Sequence, residues 1–280
     1  MKIGFIGAGK VGFSLGKYFC EHQLNVIGYY SRSLQSASQA AEFTGTLCFD
    51  NIESIVKASD TLFLTVPDGA INELWDVING LSIENKIICH CSGSLSSAVF
   101  SDIDNHHAYG YSIHPLYAIS DKLNSYMELS NALFTLEGSA GRLNEMLLLL
   151  EGLGNSVQII TADNKAVYHS AAVFVSNFMV ALAETGIDLL KSCGFDEENA
   201  SLALNPLMIG NIQNIVSSGT IQALTGPIER CDIKTIKQHL SCLNGTDKQL
   251  YILLSRKLIN IAERKNPDYS YTELEMLMGE

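Results

Sequence analysis

The clearest candidate for chemistry is the glycine-rich segment Gly7-Ala8-Gly9-Lys10-Val11-Gly12, which follows an apolar run and precedes a stretch with helical periodicity. In a G-x-G-x-x-G pattern the first glycine permits a tight turn, and the second lets a pyrophosphate approach the backbone. The third lets the helix pack closely on the strand, so that the N-terminus of the helix faces the phosphates. The segment therefore predicts a dinucleotide-binding turn.

The end of the second predicted strand, Tyr29-Tyr30-Ser31-Arg32-Ser33, bears on which dinucleotide is preferred. An NAD site usually has Asp or Glu there to hold the ribose hydroxyls, and this segment has no acid. Arg32 can pair with a 2′-phosphate while Ser31 and Ser33 donate hydrogen bonds to it. The alternative is a surface arginine beside a helix cap. NADP(H) is the preferred cofactor.

Two further segments are expected at the carboxyl edge of the sheet, where ligands of open α/β sheets bind. Val66-Pro67-Asp68 follows one strand and is expected to border the nicotinamide half of the cofactor. Ser92-Gly93-Ser94 ends the next strand, and its hydroxyls can bond a substrate oxygen or the carboxamide. A plain polar turn or helix cap is the alternative.

Three side chains are candidate proton donors. His114 lies where a strand ends at a proline, and a histidine there can protonate an alkoxide or simply bond the turn. Lys165 and His169 lie on a long apolar helical stretch with Asn177, which can orient a carbonyl. At about 100° per residue these three fall within an arc of about 120°. Polar groups on such a helix need partners, so they face a cleft or bond other helices.

Two other clusters bear on ligand binding. In the segment LTGPIERCD, Arg230 can clamp a carboxylate, with Asp232 holding it or capping the next helix. His106-His107 lies near two aspartates, but adjacent histidines on a polar loop rarely bind one ion. No metal site is expected.

The elements that must position these residues alternate in the first half of the chain. Short β-rich runs and helical stretches predict parallel crossovers and a doubly wound sheet. The expected strands are Lys2–Ile6, Leu24–Tyr30, Thr46–Phe49, Asp60–Val66, Lys86–Cys91, Tyr109–Ile113, Asn131–Leu136 and Val157–Ile160. The expected helices between them are Lys10–His22, Ser33–Phe43, Ile52–Ala58 and Asp68–Ile78.

The second half is expected to be all helical. From Asp163 to about Cys193 most positions are apolar, which predicts one central helix buried by others. Further helices are expected at Asp196–Ser217, Asp232–Leu240, Thr246–Lys265 and Ser270–Leu277. The predicted fold is α/β plus all-α, with a Rossmann domain at 1–160 and a helical substrate and dimerisation domain at 161–280.

Composition excludes several classes of protein. The 280 residues are 47% hydrophobic and 17% charged, with a net charge of −12. This argues against a disordered chain, a nucleic-acid partner and docking on an anionic membrane. The seven cysteines include no C-x-x-C pair. The N-terminal segment does not resemble a signal peptide. The apolar stretch 171–183 is expected to be too short to span a bilayer. A soluble, reduced, cytoplasmic protein is expected.

Together these features resemble an N-terminal Rossmann domain followed by a helical domain of the 6-phosphogluconate dehydrogenase type, over the whole chain. Within that group the sequence most resembles Rossmann-like oxidoreductases with a distinctive helical C-terminal domain. The segments that carry the resemblance are GAGKVG, CSGSLSS, SIHPL, DNKAVYHSAAVFVSN and LTGPIERCD. Some members look like an alternative form of ketopantoate reductase.

The resemblance implies a proton donor on the long helix in either of two registers. Ketopantoate reductases use a lysine and an asparagine eight residues later, which match His169 and Asn177; 6-phosphogluconate dehydrogenase matches Lys165 and His169 instead. The expected function is NADPH-dependent reduction of a small 2-oxo acid, foremost ketopantoate to pantoate, by a homodimer. The alternatives are a dehydrogenase of another hydroxy acid, imine or opine that uses His114 as prephenate dehydrogenase uses its histidine, and a non-catalytic NADP(H)-binding sensor.

Overall fold

The computed structural model describes residues 1–279, and the chain divides into two compact units. The first unit is Met1–Ser176, and the second begins at Asn177. This division lies later in the chain than the expected boundary near residue 160. The helix that follows residue 160 is part of the first unit because Lys165, its first residue, donates hydrogen bonds to Ser92 and Ser112 there.

The first unit contains the expected doubly wound sheet, in the order β3-β2-β1-β4-β5-β6-β7-β8. Its pairs are parallel from β3 to β6, and β7 runs antiparallel to β6. The strands are β1 Ile3–Ile6, β2 Val26–Tyr30, β3 Leu47–Cys48, β4 Thr61–Leu64, β5 Ile87–His90, β6 Tyr109–Leu116, β7 Leu133–Gly138 and β8 Val157–Ile159. The Rossmann prediction is confirmed.

The helices of this unit cover both faces of the sheet. They are α1 Lys10–Glu21, α2 Leu34–Thr44, α3 Ile52–Ala58, α4 Ile71–Ile78, α5 Leu143–Gly152 and α6 Lys165–Val175, of which α5 was not predicted. Phe5 and Phe63 contribute to the core on one face, and Leu62 and Trp75 to the core on the other. Burial on both faces explains why these parallel strands read as continuous apolar runs.

The second unit is helical, as predicted. Its helices are α7 Asn177–Ser192, α8 Glu197–Ala223, α9 Ile233–Cys242, α10 Gly245–Lys265 and α11 Thr272–Leu277. A small core that includes Ile236, Ile259 and Leu274 holds the last three together. Helix α8 is kinked at Gly219, where φ is 76° and ψ is 167°.

The prediction of one buried helix over 163–193 is wrong in two respects. The helix is interrupted at Ser176, where φ is −118° and ψ is −76° and the hydroxyl donates to the Ala172 carbonyl at 2.7 Å. Such a bond to the preceding turn bends helices. The stretch is also exposed within the described residues: Val167 is 73% and Val180 is 71% accessible.

By length and composition alone, the 31-residue helical run Ala162–Ser192 passes for a membrane span, because it contains an 18-residue window with a mean hydropathy of 1.5. The expectation that this stretch is too short is therefore corrected. One such helix is weak evidence for a membrane, since core helices of soluble proteins pass the same test.

The seven cysteines are all free thiols within the described chain, and they differ in exposure. Cys89 is buried on β5, whereas Cys48, Cys193 and Cys242 are exposed. Burial raises the pKa of Cys91 to about 12, so this thiol is inert at neutral pH.

Candidate active site

The glycine-rich turn has the backbone geometry that the motif predicts. Gly7 has a φ of +115°, and a Cβ there would lie 2.5 Å from the Thr65 carbonyl oxygen. A Cβ on Gly12 would lie 2.4 Å from the Gly7 carbonyl oxygen, so the first turn of α1 packs tightly on the end of β1. Around Gly9 there is open space within 4 Å, as a close-approaching phosphate requires.

A cavity of about 320 Å³ opens beside this turn. Seven of the predicted cofactor residues line it: Gly7, Ala8, Gly9, Ser31, Arg32, Val66 and Pro67. Lys10, Val11 and Gly12 lie in the first turn of α1 instead, and Ser33 caps α2 by accepting a hydrogen bond from the Ser36 amide at 3.2 Å. The turn, the open Gly9 and an adjoining arginine fit a phosphorylated dinucleotide.

The cavity has a second ionisable group that sequence reasoning missed. Glu73, from the first turn of α4, lines the same space as Arg32. No ion pair joins Arg32 to a carboxylate within residues 1–279, so its guanidinium is available to an anion. Glu73 belongs to no recognisable sequence motif. It reaches this edge of the sheet because β4, the strand before α4, pairs with β1.

Asp68 belongs to a serine network. Its Oδ2 accepts hydrogen bonds from Ser92 Oγ at 2.7 Å and from Ser94 Oγ at 2.9 Å. Ser92 Oγ in turn accepts from the amides of Ser94 and Leu95 at 3.2 and 3.0 Å. The network ties the loop after β4 to the loop after β5 and fixes the Ser92 carbonyl.

Lys165 is buried at this edge, with only 2% of its surface accessible. Its Nζ donates to the Ser92 carbonyl at 2.9 Å and to Ser112 Oγ at 2.8 Å. Burial lowers the pKa of this amine to about 8, against the opposing charges of Glu137 and Asp68. Lys165 is thus a group that exchanges a proton near neutral pH.

Two imidazoles converge on Gly93. A Cβ built on this glycine would lie 2.6 Å from His169 Nδ1 and 3.0 Å from His114 Nε2. His114 Nδ1 is hydrogen-bonded to Tyr168 Oη at 2.7 Å. Burial lowers the pKa of His114 to about 4, so its imidazole is neutral at physiological pH. Nδ1 of His169 is buried without a hydrogen-bond partner among the described residues.

A second cavity, of about 600 Å³, adjoins these groups. His114, Tyr168 and His169 lie at its polar end. Its remaining walls are mostly apolar and come from the end of β6 and from α6: Leu116, Tyr117, Ala118, Ala171, Ala172 and Val175. Among the described lining residues there is no Lys or Arg.

The remaining predicted residues belong to the second unit. Asn177 begins α7, beyond the break at Ser176, so it does not share one continuous helix face with Lys165 and His169. Asp232 caps α9 by accepting from the Thr235 amide at 3.1 Å and its hydroxyl at 2.7 Å. Arg230 is exposed on the preceding loop.

Three polar residues of the site were not predicted. Ser112, Glu137 and Tyr168 contact or face the predicted ones, and Glu137 pairs with Ser112 across β6 and β7. The SIHPL segment contains Ser112, and the two-residue alternation of a strand placed it on the same face as His114. Glu137 had no such signal because the antiparallel β6–β7 pair was not predicted.

Comparison with known proteins agrees with this fold. A model described as a Rossmann-like domain matches residues 1–115, and one described as a domain of unknown function, DUF2520, matches residues 132–258. Among curated proteins no match is found.

Solved structures resemble the chain over nearly its whole length. A Thermotoga maritima protein is 27% identical, covers 94% of this chain and 99% of its own, and has a TM-score of 0.75. A candidate NADP oxidoreductase from Bacteroides fragilis is 23% identical, with coverages of 92% and 98% and a TM-score of 0.71. A reductive aminase from Aspergillus terreus, in complex with NADPH and ethyl-5-oxohexanoate, is 14% identical, with coverages of 99% and 92% and a TM-score of 0.61.

Proposed function

We propose that this chain is an NADP(H)-dependent oxidoreductase that reduces the carbonyl group of a small 2-oxo acid, with ketopantoate as the first substrate to test. The observation that carries the proposal is the buried Lys165 amine, placed with two imidazoles at the carboxyl edge of a sheet that also carries the glycine-rich turn. The likeness in fold to a candidate NADP oxidoreductase and to an NADPH-bound reductive aminase supports it.

On the cofactor side, the Gly7–Gly12 turn and the N-terminus of α1 would hold the pyrophosphate. Arg32 and Ser31, which line the adjoining cavity, would hold a 2′-phosphate. Val66 and Pro67 line the same cavity. When bound, the cofactor supplies the hydride that reduces the carbonyl carbon.

Lys165 is the proton donor in this proposal. An amine whose pKa is lowered to about 8 is mostly protonated at pH 7 and releases its proton easily to an alkoxide. His114 is a weaker candidate because a histidine whose pKa is lowered to about 4 is neutral at that pH. When Tyr168 Oη donates to His114 Nδ1, the imidazole proton is on Nε2, and this N–H orients the substrate oxygen.

The apolar cavity beside His114 would accept the substituent on the substrate carbonyl. Ketopantoate has a carbon with two methyl groups next to its ketone, and such a branched group suits walls built from Ala171, Ala172 and Val175.

The cavity also favours a second candidate reaction, the reduction of an imine. Its described lining residues include no Lys or Arg, so a neutral or cationic apolar substrate meets no unfavourable charge there. The likeness in fold to an imine reductase from Myxococcus stipitatus, 16% identical with a TM-score of 0.59, supports this alternative.

The experiment is an absorbance assay at 340 nm with purified protein, NADPH and a panel headed by ketopantoate, 2-oxoisovalerate, pyruvate and cyclic imines. The proposal predicts turnover of a branched 2-oxo acid, lost in Lys165→Met. Turnover of imines alone would contradict a 2-oxo acid substrate and favour imine reduction. Tight NADPH binding without turnover of any substrate would favour a cofactor-binding sensor.

We further propose that the protein is a homodimer whose partner copy covers the exposed apolar faces of α6, α7 and α8. Val167, Val180 and Val216 are 73%, 71% and 82% exposed. A second copy suits this face better than a bilayer. The run Ala162–Ser192 carries Glu184 and Asp188 in its C-terminal half, and acidic residues within a membrane-spanning segment are rare. We propose a soluble, cytoplasmic dimer.

A further inference from the structure

Lys165 is a buried cation whose direct partners are neutral. Both acceptors of its Nζ, the Ser92 carbonyl and Ser112 Oγ, lack a formal charge. No carboxylate forms a salt bridge with it in the part of the chain that the structure describes. A buried charge without an ionic partner is disfavoured, and a charge of opposite sign at a greater distance would stabilise it.

Glu137 is the complementary case. This residue of β7 is only 7% exposed, and its carboxylate accepts hydrogen bonds from the Ser97 amide at 2.7 Å and the Ser97 hydroxyl at 2.6 Å. Both donors are neutral, and within residues 1–279 no cation forms an ion pair with Glu137. It is a buried anion held without a counter-ion in contact.

The strand register brings the two charges to either side of one serine. Ser112 of β6 and Glu137 of β7 are directly paired, so their side chains project from the same face with Cβ atoms about 5 Å apart. Ser112 Oγ is also the atom that lies 2.8 Å from Lys165 Nζ. Glu137 therefore lies on the strand position beside the serine that contacts the amine, and its charge opposes the effect of burial on the Lys165 pKa.

We propose that Glu137 is a positioning residue for the reaction, acting across Ser112 as the buried counter-charge that keeps the Lys165 amine protonated at neutral pH. Its effect on catalysis rests on the proposed role of Lys165 as proton donor; its effect on the charge of Lys165 does not.

The other charged and titratable groups around Lys165 do not replace Glu137. They come from every element packed against the amine: Asp68 after β4, His90 and Cys91 at the end of β5, His114 on β6, and Tyr168 and His169 on α6. His90 and His114, both with a pKa lowered to about 4 by burial, are neutral. Cys91 and Asp68 raise the Lys165 pKa as Glu137 does, but each has a smaller effect. Among the charges opposing the effect of burial on the Lys165 pKa, Glu137 is the largest.

A purely structural role for Glu137 makes a different prediction. Through Ser97 this carboxylate anchors the far end of the loop that carries Ser92 and Ser94. If anchoring were its only role, removing the Ser97 hydroxyl would affect Lys165 as much as removing the charge. Glu137→Gln retains an acceptor for Ser97 and loses the charge, whereas Ser97→Ala retains the charge and loses one anchor.

The test is an NMR titration of Lys165 in the full chain labelled with [6-13C]lysine. The Lys165 resonance is assigned as the one that is lost in Lys165→Arg. A unit charge at roughly 8 Å changes a pKa by about one. We expect the Lys165 pKa to fall by about one in Glu137→Gln and to stay unchanged in Ser97→Ala. Where the protein turns over a substrate, the alkaline limb of kcat/KM moves down by the same amount.

An unchanged Lys165 pKa in Glu137→Gln, or an equal shift of the Lys165 pKa in Ser97→Ala, would overturn the inference. This readout holds whether or not the substrate is found.

Discussion

The phenol oxygen of Tyr168 lies 2.7 Å from Nδ1 of His114, so a helix that follows the sheet and a strand within it share a hydrogen bond at the centre of the site. This contact places the imidazole between Tyr168 and Gly93 and removes one of its nitrogens from solvent. Burial makes His114 a neutral orienting group, whereas the pKa of Lys165, about 8, lies close to physiological pH.

The pH dependence of turnover follows from these two groups. The active form of Lys165 is the protonated amine, whose pKa is about 8, so kcat/KM should fall as the pH rises above 8. The titration of His114, whose pKa is about 4, should affect kcat/KM only below about pH 5. Lys165→Met should lower kcat by about 100-fold or more. The control is Lys191→Met on α7, an exposed lysine; a kcat/KM that does not fall as the pH rises through 8 would indicate a different proton donor.

Gly93 should tolerate no side chain. In Gly93→Ala the new Cβ would lie 2.6 Å from His169 Nδ1 and 3.0 Å from His114 Nε2, so both imidazoles must move. We expect kcat/KM to fall by about 10-fold or more while NADPH affinity, measured by calorimetry, is retained. Gly152→Ala is the matched control, since no atom lies within 4 Å of its Cβ position. Equal activity in the two variants would argue that the histidines do not contact the substrate.

Arg32 should set the cofactor preference. Replacing it with alanine removes a charge-assisted contact with the 2′-phosphate, and we expect the Kd for NADPH to rise about 10- to 100-fold. The Kd for NADH should change little. Ser33→Ala provides a control in the same loop because its hydroxyl caps α2 at 3.2 Å from the Ser36 amide; it should lower stability by about 1 kcal/mol and leave the preference intact. Equal losses for both cofactors in Arg32→Ala would contradict this assignment.

The proposed dimer can be tested on α7. Val180 is 71% exposed, and Val180→Glu places a charge on the apolar face that a second copy would cover. Light scattering should show a dimer for the wild type and a monomer for this variant. Leu34→Glu on α2, where the leucine is 59% exposed, should remain dimeric. A wild-type monomer at micromolar concentration would refute the dimer, and recovery only with detergent would favour a membrane surface.

Much of the first unit could be predicted because its signals are local. The glycine turn and the cap at Ser33 both depend on neighbours within a few residues. The expected strand end before His114 is wrong, because β6 continues through Pro115 to Leu116 in its antiparallel pairing with β7. The Gly7–Gly12 turn confirms the backbone geometry that the motif implies.

Non-local relationships could not be predicted in the same way. The role of Glu137 depends on the register of β6 and β7, and that of Glu73 on which helix follows β4. Helical periodicity placed Lys165 and His169 on one face correctly, since both lie on α6. It failed at Asn177 because one hydroxyl bond from Ser176 interrupts the helix without any proline or glycine to announce it.

The distribution of exposed thiols gives the protein built-in attachment points for spectroscopic labels. Cys48 is exposed in the first unit, and Cys193 and Cys242 are exposed in the second, whereas Cys89 is buried and the raised pKa of Cys91 keeps it unreactive. A maleimide-linked donor and acceptor on Cys48 and Cys193, with Cys242 changed to serine, would measure the separation of the two units in solution. Energy transfer between the dyes would then follow that separation as NADPH is added, without any engineered cysteine.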